Sequence, residues 1–103
     1  MTNHVKPYRP VHPGEVVKDE IDARFITQKD LARVLDVPYT MLNEILNGKR
    51  NVSVDMALLF ESALGIDADM LVAMQAAYSL QVAREDKSFA QRMEAIKLAF
   101  ATV

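Results

Sequence analysis

The 103-residue chain has no cysteine and no tryptophan, and it holds only three glycines, four prolines and two histidines. Without cysteine, neither a disulfide framework nor thiolate chemistry is available. The dispersed glycines form no phosphate-cradling loop. His4 and His12 are far too few for a metal site among scattered carboxylates. No serine, histidine and acid grouping stands out, and no paired carboxylates suggest a cleft, so neither enzyme activity nor a cofactor is expected. Apolar runs fall well short of the ~20 residues that span a bilayer, and the N-terminus lacks a charged-then-apolar leader. A soluble, cytoplasmic protein with no membrane partner is expected. A basic excess is missing too: the net charge is −2 and the pI about 5.6.

That charge is unevenly placed. Residues 27–50 carry Lys29, Arg33, Lys49 and Arg50 against Asp30, Asp36 and Glu44. Residues 51–86 carry Asp55, Glu61, Asp67, Asp69, Glu85 and Asp86 against Arg84 alone. The whole-chain charge therefore says little about the local field over residues 27–50, which is what a phosphate would feel.

What is present reads as helix throughout, with no strand signal and no internal repeat. Residues 1–11, with Pro7 and Pro10, read as an extended or disordered arm. In "HPGEVVKDEI" Pro13 suits a first helical position, with Val17 and Ile21 facing inward and His12 as a capping or surface residue. "TQKDLARVL" is a second helix with Thr27 as N-cap, burying Leu31, Ala32 and Leu35. Asp36 and Val37 break it, and Pro38 can open a third helix as its N1 residue. That helix ends at Asn47-Gly48. Ser53 caps a fourth, in which Ala57, Phe60 and Leu64 make one stripe and Leu59 lies off it. Asp67 caps "ADMLVAMQAAYSLQVARED", a helix apolar over most of its circumference that must be covered on more than one side. "SFAQRMEAIKLAF" begins with a Ser-x-x-Gln capping box and aligns Phe89, Met93, Ile96 and Phe100. Met41, Met56, Met70, Met74 and Met93 all lie in apolar helical patterns, as core gap-fillers do.

The third helix, within "VPYTMLNEILNGKR", raises the functional question. At 100° per residue, Tyr39, Asn43, Asn47, Thr40 and Glu44 share an arc of roughly 140°, while Met41, Ile45, Leu42 and Leu46 fill the opposite one. The second and third helices with their short break have helix-turn-helix spacing, in which the second helix enters the major groove. Thr40 and Asn43 can donate and accept at base edges, Tyr39 offers a ring and a hydroxyl, and Gln28 at a helix start suits phosphate. Lys49 and Arg50 follow where a flanking phosphate would pass. On pattern alone, a solvated polar face on a helical bundle remains an equal reading.

Residues 26–65 resemble the phage-repressor (Xre-type) helix-turn-helix, through "TQKDLA" with its Gln28 and Ala32 and through "ILNGKR" before "SVDMALLFESALG". "HPGEVV" at 12–17 and "MQAAYSL" at 74–80 are similar to signatures of the HigA/VapI antitoxins, so the resemblance covers about residues 12–84. It implies an all-α, five- to six-helix bundle with a lambda-repressor-like helix-turn-helix. The DNA-binding core would be 12–66, with 67–103 completing it and forming a dimer interface. It also implies a homodimer that binds double-stranded operator DNA, represses its own operon and neutralises a RelE/HigB-like ribonuclease toxin. By resemblance Gln28 contacts phosphate, Tyr39, Thr40, Asn43 and Glu44 face bases, and Asn47 and Lys49 touch the backbone. Lys29 and Arg50 complete the DNA-binding set.

Three residues depart from the family pattern. Asp36 replaces a turn glycine, Pro38 a Ser or Thr cap, and Glu61 a small apolar residue. Asp tolerates a left-handed conformation better than most residues, so the turn can survive. Glu44 repels phosphate unless it accepts from a cytosine amino group. A stand-alone repressor without a toxin, or an adaptor that has lost DNA binding, are the competing readings.

Overall fold

A computed structural model describes residues 10–102, in which six helices and no strand are found: α1 (Pro13–Ala23), α2 (Gln28–Leu35), α3 (Tyr39–Leu46), α4 (Val54–Leu64), α5 (Ala68–Glu85) and α6 (Lys87–Ala101). Nearly all of the segment expected to form an arm, including Lys6, Tyr8 and Arg9, lies outside the described residues. None of the helices is long and apolar enough to cross a membrane.

Short-range chemistry sets where the helices start. Thr27 Oγ1 accepts from the Asp30 amide, Ser53 Oγ from Met56 and Asp67 Oδ1 from Asp69, each satisfying a donor that a helix start leaves unpaired. Two starts differ from expectation. Pro38 is the N-cap of α3 rather than its first helical residue, and it supplies no side-chain cap bond. For α6 the cap is Asp86, whose Oδ1 accepts from Phe89, so the helix opens at Lys87 and the expected Ser88 box does not form. An ionised carboxylate accepts more strongly than a hydroxyl and also favours the positive end of the helix dipole.

Three helix ends share one device. A residue with positive φ follows the helix, and the next amide bonds back five residues: Ile26 to Ile21, Val37 to Ala32 and Lys49 to Glu44, at 2.8, 3.0 and 2.8 Å. The left-handed residues are Phe25 (φ 57°), Asp36 (φ 57°) and Gly48 (φ 74°). Asp36 thus does what a turn glycine does. Phe25 does so against the steric preference of a side chain with a Cβ, and it is 94% exposed.

The core gathers Val17 and Ile21 of α1, Leu31 and Ala32 of α2, Leu42, Ile45 and Leu46 of α3, and Ala57, Phe60 and Leu64 of α4. From α5 come Ala68 and Leu71, with Gln75 buried one turn further on. Leu35 and Met41 only pack against this cluster from its edge. Beyond Gln75 the chain leaves the core, giving a body of 56 × 37 × 23 Å. Within one chain the second half of α5 is therefore mostly exposed, Tyr78 and Gln81 being only half-buried, and α6 has no buried residue at all. Met56 is buried, but Met70 and Met93 are exposed and fill no gap.

In the "HPGEVV" segment His12 caps α1 beside Gly48, and Gly14 packs α1 directly on α3. His12 is 2% exposed, so it is a buried cap and not a surface residue, and its Nδ1 accepts from the Gly14 amide at 2.9 Å. Gly14 lies so close to the Ile45 carbonyl that a Cβ would overlap the oxygen. The "MQAAYSL" segment closes the other side. Gln75 Oε1 accepts from the Val52 amide at 2.8 Å, and Tyr78 meets the His12 ring edge-on at 4.9 Å.

Candidate nucleic-acid interface

With Leu42, Ile45 and Leu46 committed to the core, the opposite face of α3 must look outward. Tyr39 and Thr40 are exposed at its start, Asn43 and Glu44 are half-buried along it, and Asn47 is exposed at its end. Pro38 makes no side-chain cap bond, so the free amides of the first turn of α3 meet water or a ligand. Lys49 and Arg50 follow, both exposed.

Hydrogen bonds link this face into a surface. Asn43 Nδ2 donates to Gln28 Oε1 at 2.9 Å across the α2–α3 junction. Gln28 keeps its own amide donors, and Asn43 keeps its carbonyl oxygen. Asn47 Nδ2 donates to the Asn43 backbone carbonyl at 2.9 Å, which holds the last polar side chain along the helix. Arg50 pairs with Glu44, its Nε and Nη2 lying 2.9 and 2.8 Å from Oε1. Of the expected residues, Gln28, Asn43 and Asn47 are thus joined in one set, and Glu44 and Arg50 in another. Tyr39 and Thr40 lead them on the same helix. Lys29 is exposed in the first turn of α2, and neither it nor Lys49 takes part in a side-chain bond among the described residues.

The groups that hold this surface in place were not evident as site residues. His12, Gly14 and Gln75 touch the back of α3 or the loop after it, and their signal was only that they fall within the two flanking motifs. Burial lowers the His12 pKa below its ordinary 6.5, against smaller raising effects from the Arg50 backbone carbonyl and the Glu15 charge. With Nδ1 accepting, the proton of the neutral ring lies on Nε2, which is buried and faces the Arg50 backbone carbonyl without a well-formed hydrogen bond. Glu61, unusual for the family, acts locally. Its Oε2 accepts from the Ala68 amide at 2.9 Å and caps α5 from the preceding helix.

Comparison with known proteins places this geometry. A Dichelobacter nodosus virulence-associated protein A' is 39% identical over 72 residues, which make up 69% of this chain and 63% of that protein, under two thirds of its length. The Pseudomonas aeruginosa antitoxin HigA, solved with the higBA promoter, is 32% identical with a TM-score of 0.73 over 84% of this chain and 94% of that one. A second Pseudomonas aeruginosa protein, solved with its 18-base-pair operator, is 35% identical with a TM-score of 0.68 over 75% of this chain and 84% of that one. The helix-turn-helix family model matches residues 18–71, more than half of the chain. By its sequence and its backbone alike, this chain belongs to the helix-turn-helix family, in the Xre-type branch that includes the HigA antitoxins.

Proposed function

We propose that this chain is a cytoplasmic, dimeric antitoxin that binds operator DNA, represses its own operon and neutralises a RelE/HigB-like ribonuclease toxin encoded beside it. The observation that carries the reading is the exposed polar face of α3, tied to α2 by the Gln28–Asn43 bond. A face meant only to be wet gains little from an interhelical bond that fixes an amide side chain, whereas base reading depends on one. Thr40 and Asn43 read base edges. Gln28, Asn47 and Lys49 hold the backbone, and Lys29 adds a cation beside them. The ion pair with Arg50 offsets the charge of Glu44, which weakens one of the two arguments, Glu44 and the net charge of −2, for an adaptor that has lost DNA binding.

Two-fold operators are matched by two-fold proteins with recognition helices ~34 Å apart. The apolar surface left open on α5 and α6, with Leu80, Val82, Phe89, Ile96 and Phe100 all 44% exposed or more, is the surface a second copy would cover. With α3 committed to the groove and α5–α6 to the dimer, toxin contact falls to the N-terminal arm and α1.

Retardation of the upstream promoter fragment across a salt series tests DNA binding. Thr40→Ala or Asn43→Ala should reduce preference for the operator over random DNA by about 1–3 kcal/mol if a bidentate contact is lost. Lys49→Ala should weaken both and lower the salt slope by about one per contacting subunit. Co-purification with the product of the neighbouring gene tests the toxin. Deleting residues 1–10 should weaken that complex and leave operator affinity within about threefold. A Tyr39→Ala, Thr40→Ala protein should silence the promoter poorly yet still rescue cells. Loss of both activities in each folded variant would mean one shared surface and defeat the division of labour.

A further inference from the structure

Glu44 is the only carboxylate on the polar arc of α3, and its geometry points to a role there. Arg50 Nε and Nη2 both lie on the same carboxylate oxygen, Oε1. No described residue donates to Oε2, which keeps its lone pairs. The side chains are 52% exposed for Arg50 and 42% for Glu44, and ion pairs this open add little stability. What the pair does achieve is to bias Glu44 towards one rotamer and to offset part of a charge that would repel the DNA backbone at close range.

An ionised carboxylate accepts and never donates. In the major groove guanine shows two acceptors, and thymine shows an acceptor and a methyl group. Adenine sets an acceptor beside its amino group. Cytosine alone offers an amino donor with no adjacent acceptor on the same base. We propose that Glu44 is a specificity-determining residue that accepts from the N4 amino group of one cytosine in each operator half-site. Arg50 is the positioning residue that holds Glu44, and it is not a phosphate anchor. This inference rests on the operator-binding reading above and states what one position of the operator must be.

Selection from a randomised duplex library, using the purified full chain and sequencing the bound fraction, tests it. The wild type should select one cytosine per half-site by about tenfold or more over the next base, a ratio equivalent to about 1.4 kcal/mol. Glu44→Gln should move that position towards adenine, which an amide addresses through N6 and N7, and leave the other positions unchanged. Glu44→Ala should abolish preference there. Arg50→Ala should flatten the cytosine preference to under about threefold while the other positions persist, and Arg50→Lys should restore only part of it, because the charge returns without the guanidinium fork. If both Glu44 variants kept the wild-type cytosine, the assignment to Glu44 would be overturned. If Arg50→Ala weakened all sequences equally and kept the cytosine, Arg50 would be a phosphate contact and the positioning role would fail. A wild-type chain that selects no sequence would defeat the operator-binding reading, and this inference with it.

Discussion

Gly14→Ala should be a severely destabilising change even though alanine is the better helix former. A Cβ at Gly14 would overlap the Ile45 carbonyl oxygen, lie 2.9 Å from the Ile45 carbonyl carbon and lie 3.0 Å from His12 Nδ1. Two of these three neighbours are backbone atoms of α3, so no side-chain rotation relieves the overlap. α1 and α3 must separate, and a radial gap of 0.5–1 Å already forfeits about a quarter to a half of the dispersion energy of each contact. The contacts at risk are those of Val17 and Ile21 with Leu42, Ile45 and Leu46, all 1% exposed or less. Overpacking costs about 1–3 kcal/mol, occasionally more, and the helix propensity of alanine returns at most about 1 kcal/mol. An overlap with backbone atoms belongs at the upper end of that cost, which leaves a net loss of about 2 kcal/mol and lowers Tm by roughly 8–16 °C in a domain of this size. Far-UV circular dichroism melts at one fixed protein concentration would measure it, because the Tm of any self-associating protein depends on concentration. Gly65→Ala is the control, since nothing lies within 4 Å of its Cβ and only its φ of 73° opposes the change. Its loss should stay near 1 kcal/mol. A Gly14→Ala protein melting at or above the wild-type temperature would refute the backbone contact between α1 and α3.

Three further outcomes are expected. His12 has a lowered pKa in the folded chain, so the folded state binds fewer protons than the unfolded one. Its contribution is full above about pH 6.5 and declines as pH falls from there towards the folded value. His12→Asn keeps a capping acceptor and should flatten the dependence of the urea midpoint between about pH 7.5 and 5.5; an unchanged slope would mean that His12 is not its source. Phe25→Gly should raise stability by about 1 kcal/mol, because it relieves a left-handed conformation at a side chain 94% exposed. A lower Tm would show that the ring is packed in solution. Phe89→Glu with Ile96→Glu should convert the proposed dimer to monomer in light scattering at micromolar concentration, since an interface does not take up unpaired charges, and a persisting dimer would move the interface elsewhere.

Six helices, most of their ends and the two-sided character of α3 were legible in the sequence. Each depends on residues three to five apart. Thr27, Ser53 and Asp67 find their amides within the next turn, and 100° per residue separates Asn43 from Leu42 whatever surrounds them. Where two local caps competed, as at Asp86 and Ser88, local chemistry alone did not decide, and the carboxylate prevailed. What lies between elements came from the tertiary fold. That His12 is buried, that Gly14 meets Ile45, that Gln75 holds the Val52 amide 23 residues away and that Asn43 bonds Gln28 15 residues away all depend on how helices cross. The same holds for α6, whose apolar stripe reads like a core stripe yet buries nothing within one chain. Helical periodicity shows that a face is apolar, but which body covers it depends on where the preceding helix points, and α5 points away from the core.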